Sequence, residues 1–215
     1  MRRFVQGLVA AAGVVAFASA ANAATVIDFG TGFGGAGGTV NIGANVTGSG
    51  IFIDTVTIIG APVNNGVFDV EGAGVCGDAV GGCGLLSFDK NLNTITIVGS
   101  IPALGILAPV NLLSGDLSGG VNVLINNGVT GSITASGRDT KAAQLLTAIG
   151  LDPGVQWAFF GFETAVNGTG QGSPYTAIST DITNTSVPEP GSMALFGSGL
   201  FGLVGVIRRR FAKKA

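Results

Sequence analysis

Residues Ser49 to Gly60 read SGIFIDTVTIIG, a stretch rich in isoleucine, valine, threonine and phenylalanine. β-Branched and aromatic residues fit a pleated, half-buried surface, so the stretch predicts a strand. Similar stretches lie on both sides. Asn64-Asn65-Gly66 is a turn signal, and Val67 to Glu71 (VFDVE) alternates apolar with acidic residues. Leu85 to Asp89 and Thr94 to Val98 flank Lys90-Asn91-Leu92-Asn93 and predict a hairpin. Val121 to Ile125 and Val129 to Ala135 form a second pair joined through Asn126-Asn127-Gly128. Ala24 to Gly30, Val155 to Thr164 and Tyr175 to Thr185 supply further strands, whereas Ser100 to Gly120, with Pro102 and Pro109, has no clear period.

One soluble helix is expected, Asp139 to Ile149. Ala142, Leu145, Leu146 and Ile149 share a face there, Ser136 or Asp139 is placed to cap it, and Gly150 to end it. Short strands with Gly and Asn turns, one helix and no βαβ rhythm predict a mainly β domain, an antiparallel β-sandwich. A parallel β-solenoid is the alternative, but no repeat of fixed period supports it.

Charge divides the chain. Between Ala24 and Pro190 all twelve acidic residues face only Lys90, Arg138 and Lys141, a net charge of −9 that the whole-chain value of −2 conceals. Such a surface argues against nucleic acid and anionic lipid as partners. The absence of histidine removes histidine triads and histidine metal sites. Cys76 and Cys83 are the only cysteines, and the six residues between them include three glycines. In an oxidising compartment this pair is expected to form a disulfide.

Two apparent motifs dissolve on inspection. Gly32-x-Gly34-x-x-Gly37 matches the dinucleotide pattern, but Thr39-Val40-Asn41-Ile42-Gly43 follows it without helical period, and that chemistry needs a helix N-terminus at the pyrophosphate. Asp89, Asn91 and Asn93 are spaced like the first ligands of a calcium loop. Thr94 and Ser100 stand where glycine and a carboxylate are required, so turn chemistry is expected instead. Sequons at Asn45, Asn167 and Asn184 are weak signals of glycosylation. No cofactor and no metal site is expected.

The two ends of the sequence carry targeting features. Arg2 and Arg3, an apolar run from Gly7 to Ala18, and Ala21-Asn22-Ala23 make a signal peptide, with cleavage after Ala23 leaving Ala24 first. Phe4 directly follows the arginine pair, which favours the general secretory route over the twin-arginine one. Gly191 to Ile207 is uncharged and as a helix would be about 26 Å long, a short but adequate span of a bilayer core. Arg208, Arg209, Arg210, Lys213 and Lys214 follow it and would keep the C-terminus cytoplasmic. Before the span, Pro188 and Pro190 hold the chain extended.

Val187-Pro188-Glu189-Pro190, the glycine-rich span and the basic cluster together resemble the PEP-CTERM sorting signal, a tail also described as the C-terminal domain of ice-binding proteins. The resemblance implies recognition of Pro188, Glu189 and Pro190 by an exosortase, a membrane cysteine transpeptidase of Gram-negative bacteria that make exopolysaccharide. It further implies transient anchoring in the inner membrane, cleavage near the motif, and delivery to the cell surface or extracellular matrix.

Residues 1–23, 24–186 and 187–215 are thus read as signal peptide, exported β-rich domain and sorting signal. The expected function is that of a non-enzymatic surface or matrix protein associated with exopolysaccharide or the envelope. A glycoside hydrolase or lyase is the first alternative, with Asp69 and Glu71, or Glu163, as carboxylates and Trp157 and Tyr175 as sugar platforms. An ice- or surface-binding adhesin is the second, although Thr55-x-Thr57 and Thr94-x-Thr96 are only scattered pairs.

Overall fold

A computed structural model describes residues 24–32, 36–76, 81–155, 157–168 and 174–186. The expected signal peptide over 1–23, the motif Val187 to Pro190, the span 191–207 and the basic tail 208–215 lie outside the described residues. Twelve strands follow in order: β1 (Val26–Gly30), β2 (Gly37–Ile42), β3 (Val46–Ile53), β4 (Thr55–Ile59), β5 (Gly66–Asp69), β6 (Gly84–Asp89), β7 (Thr94–Ile101), β8 (Ile106–Gly115), β9 (Val121–Asn126), β10 (Thr130–Lys141), β11 (Trp157–Asn167) and β12 (Tyr175–Ser186). A 3-10 turn at Pro102–Leu104 joins β7 to β8, and one helix, α1 (Ala143–Ala148), joins β10 to β11.

The strands do not stack as two sheets. β12 pairs with β11 along one edge and with both β1 and β2 along the other, so the path β2-β3-β6-β7-β8-β10-β11-β12 returns to its start. The result is a closed eight-stranded barrel, antiparallel throughout, with each strand beside its neighbour in sequence. The remaining four strands lengthen members of the ring. β1 lies in line with β2 along β12, β4 with β3, β5 with β6, and β9 with β8 along β10. The sandwich expectation is corrected here. Inward–outward alternation is the same in both architectures, and only the pairing of first and last strands tells them apart.

Ser49 to Gly60 shows how the strands bend. Ile51 and Ile53 are buried, then Val56 and Ile58, so the two-residue alternation slips by one across Asp54 and Thr55. One expected strand becomes β3 and β4, and the Asp54 backbone carbonyl at the bend accepts from the Val70 N–H (2.8 Å). An eight-stranded barrel has an interior that side chains can fill. Phe29, Ile51, Ile97, Phe162, Tyr175 and Trp157 are among those that fill it, and Phe88 meets Phe162 edge-on, ring centroids 5.2 Å apart.

The turn readings are correct in kind. Asn127 (φ 51°) and Gly128 (φ 71°) turn β9 into β10 in the left-handed conformation that Asn and Gly tolerate. Asp89 Oδ1 accepts from Asn45 Nδ2 (2.8 Å) and Leu92 N (2.9 Å), and Asn93 Oδ1 from Leu117 N (3.0 Å). The Asn45 hydrogen bond leads in holding the Asp89 carboxyl below its ordinary pKa. These side chains therefore build the β6–β7 turn. No helix follows the glycines near Gly32, since Gly37–Ile42 is strand β2.

The helix is shorter than expected. Strand β10 continues through Asp139 to Lys141, and α1 begins only at Ala143, with no side-chain cap. The cause is a buried polar cluster that keeps these two residues on the strand. Lys141 Nζ donates to Asp139 Oδ2 (2.6 Å) and to Asn184 Oδ1 (3.1 Å), and lies 5.1 Å from the centre of the Trp157 ring. α1 sits where β4 turns into β5, because Asn64 Nδ2 donates to the Ala148 carbonyl (2.8 Å) and Val63 N to that of Ile149 (3.2 Å). Leu145, Leu146 and Ile149 bury beneath it. Among the described residues no helix is long and apolar enough to cross a membrane.

Candidate functional site

Three carboxylates meet on the outside of the barrel. Asp28 comes from β1, Glu163 from β11 and Asp181 from β12, and register brings them together. Glu163 is directly opposite Asp181, Asp181 opposite Gly30, and Asp28 opposite Thr183. With Gly30, Thr31, Ala165, Ser179 and Thr180 they line an open cleft of about 380 Å³. The cleft forms where β11 is irregular between Phe160 and Glu163, with Gly161 at φ 79°, and where β12 passes from β2 to β1. Such bulges re-aim side chains and recur beside binding sites.

Burial in the cleft is the main cause that pushes the Asp181 carboxyl up to about 6, reinforced by its hydrogen bond to Asp28 and by the charges of Asp28 and Glu163. Thr183 Oγ1 donates to Asp28 Oδ1 (3.2 Å) and fixes that carboxyl at the edge of the cleft. A carboxyl whose pKa is raised toward neutrality beside further carboxyl groups is the kind of group that general acid–base chemistry uses.

The residues singled out from the sequence divide. Glu163 lines the cleft. Asp69 is exposed on β5, in the same cross-strand row as Asp181 but with β1 and β4 between them, and Glu71 lies beyond β5, exchanging backbone hydrogen bonds with Ser100 (2.9 and 2.8 Å). Asp69 and Glu71 therefore do not face one another on one strand. Trp157 (0% exposed) and Tyr175 (2%) belong to the core and offer no platform to a sugar. Asp28 and Asp181 escaped the sequence reading because each is a single acid in an alternating strand, and only the barrel's register joins them. Among the described residues no group of three His, Cys, Asp or Glu side chains is placed to hold a metal ion.

Cys76 and Cys83 form the expected disulfide, which closes a loop between β5 and β6. Gly74 and Cys83 exchange backbone hydrogen bonds of 2.9 Å across its base. Asn184 of the third sequon is fully buried, out of reach of a glycosylating enzyme.

The last described residue carries the remaining functional information. Ser186 ends β12 at the α1 end of the barrel, its N–H donating to the Thr25 carbonyl (3.2 Å), while Thr25 Oγ1 donates to the Gly60 carbonyl (3.1 Å). From that residue onward, residues 186–210 match a family model described as the PEP-CTERM protein-sorting motif. The chain carries a PEP-CTERM sorting motif. That motif supports an exported, surface-sorted protein processed by an exosortase, itself a membrane protein. No curated protein and no solved structure matches the chain.

Proposed function

We propose that the barrel is a non-enzymatic cell-surface or matrix domain, associated with exopolysaccharide or the envelope. A signal peptide over Met1 to Ala23 exports it, and the span Gly191 to Ile207 holds it briefly in the inner membrane. An exosortase then cuts near Pro188-Glu189-Pro190. The observation that carries this reading is that the sorting motif begins at Ser186, the residue on which the barrel ends. A motif placed directly after a closed domain gives a membrane enzyme access without unfolding that domain. The acidic surface suits a protein that stays soluble outside the cell. Pull-down of the released barrel with the organism's purified exopolysaccharide tests the partner. Retention on the polymer is the expected result, and no retention over a control protein of equal charge contradicts it.

A second reading has one observation in its favour, the raised pKa of Asp181 beside Glu163 and Asp28. In it the cleft is a glycoside-cleaving site, with Asp181 protonating the leaving oxygen and Glu163 as base or nucleophile. Turnover of polysaccharide substrates that disappears in both Asp181→Asn and Glu163→Gln, with the fold intact, would establish it over the non-enzymatic reading.

A further inference from the structure

The polar cluster inside the barrel is unusual in its chemistry. Asp139 and Lys141 are adjacent inward positions of β10, both with fully buried side chains, and they form an ion pair of 2.6 Å. Asn184, fully buried on β12, presents Oδ1 to the same Nζ at 3.1 Å. Its Nδ2 donates to the backbone carbonyls of Ile27 (3.0 Å) and Ile182 (2.8 Å), which fixes the plane of the amide. The Trp157 ring covers the amine at 5.1 Å. Asp139 Oδ1, although buried, has no partner. An unpartnered oxygen suits a carboxyl that takes up and gives back a proton better than it suits a fixed carboxylate, for which leaving it unpaired is costly.

We propose that Lys141 and Asn184 join in an intramolecular isopeptide bond, with Asp139 as proton carrier, cross-linking β10 to β12 inside the barrel.

The step balances without any co-reactant. The Lys141 ammonium passes a proton to Asp139, leaving a neutral amine. Its lone pair forms the Nζ–Cγ bond to Asn184 as the carbonyl electron pair moves onto Oδ1, which the Asp139 carboxyl stabilises by hydrogen bonding. The tetrahedral carbon collapses and the Cγ–Nδ2 bond breaks. The amide nitrogen leaves as ammonia, taking up the proton that the attacking nitrogen sheds through Asp139. One amine and one primary amide become one secondary amide and ammonia.

Geometry supplies most of what such a step needs. The amine sits at hydrogen-bond distance from the oxygen that is one bond from the carbon it attacks, and reacting groups held this closely gain a large effective concentration. The surroundings set the protonation states. Burial holds the Lys141 ammonium down to about 8 against the opposing pull of Asp139. Burial also raises the Asp139 carboxyl, with a further push from the charge of Asp116, while Lys141 pulls the other way. Both shifts favour the neutral amine and neutral acid from which the reaction proceeds. A static ion pair in the same place would contribute little net stability. The bond would also have a use. Asn184 lies two residues before Ser186, where the sorting motif starts, so a pull on the C-terminal attachment would pass directly into β10.

The test is mass spectrometry of the protein recovered from the surface fraction, denatured and with its disulfide reduced. The bond predicts a mass lower by one ammonia than the sequence between its observed termini, and a branched peptide joining the Lys141 segment to the Asn184 segment. Cyclic imides at Asn65-Gly66, Asn127-Gly128 or Asn167-Gly168 also lose ammonia, so the branched peptide decides. Lys141→Arg should abolish it, and Asp139→Asn should leave most molecules unlinked. Recovery from the unsubstituted protein of linear peptides with a free Lys141 amine and an intact Asn184, in full yield, would overturn the proposal. That result needs no variant to fold, and it leaves the sorting reading untouched because the C-terminus is read from a different peptide.

Discussion

Val26 on β1 and Thr185 on β12 are antiparallel partners across the seam that closes the barrel. Their strands lie at opposite ends of the described sequence, and the pairing of β12 with both β1 and β2 separates a closed sheet from an open one. It also brings the start of β1 and the end of β12 to one end of the barrel, beside α1, where Ser186 bonds to Thr25. Loops at 43–45, 90–93 and 127–129 connect strands at the opposite end.

The core should be intolerant of truncation at its aromatic contacts. Phe162 is fully buried and packs edge-on against Phe88. Phe162→Ala is expected to cost about 3–5 kcal/mol through lost burial and the cavity left behind. Urea unfolding followed by tryptophan fluorescence measures this directly, since Trp157 is the only tryptophan.

Gly137 marks the bulge at which β10 passes from β9 to β8. A Cβ there would run into the carbonyl oxygen of Asp116, a backbone atom that cannot swing aside. Gly137→Ala should therefore destabilise by about 1–3 kcal/mol, where an alanine at the unobstructed Gly43 should be nearly neutral. Thermal melts of the two variants, compared side by side, provide the check.

The Cys76–Cys83 bond closes a short loop and should stabilise the barrel by roughly 2–3 kcal/mol on loop-entropy grounds. Cys76→Ser with Cys83→Ser is expected to lower the unfolding free energy by that amount, and the denaturation midpoint with it. A reducing agent should lower the midpoint of the unsubstituted protein and leave the double variant unchanged.

Asp181 predicts a pH dependence of definite sign. Its folded pKa, about 6, lies above the ordinary 3.8, so the folded state binds the proton more tightly than the unfolded one. The stability it contributes is complete below 3.8 and is lost as pH rises through about 6. Asp181→Asn should flatten that fall, making the variant relatively more stable at neutral than at acid pH. Parallel denaturation curves across the window, with the same slope against pH in both proteins, would contradict the assignment.

Much of the local structure could be read directly from residue patterns. Asn127-Gly128 and the alternation in Leu85 to Val98 identify their hairpins because turn chemistry and strand period are local properties. The helix was misplaced at its start because Asp139 resembles a cap, whereas in the fold it pairs with Lys141 on a strand. The sandwich expectation failed for a similar reason, since the contact between Val26 and Thr185 leaves no trace in either segment's own pattern. In the acidic cleft only Glu163 was anticipated. Asp28 and Asp181 become its neighbours through cross-strand register, which no single strand records.

Whether the chain is exported and sorted through its C-terminal motif is read from the C-terminus of the surface-fraction protein. Mass spectrometric mapping should find the last peptide ending near Pro188-Glu189-Pro190, free or joined to an envelope component, with Gly191 to Ala215 missing. A surface-fraction protein whose final peptide still runs to Ala215 would contradict it.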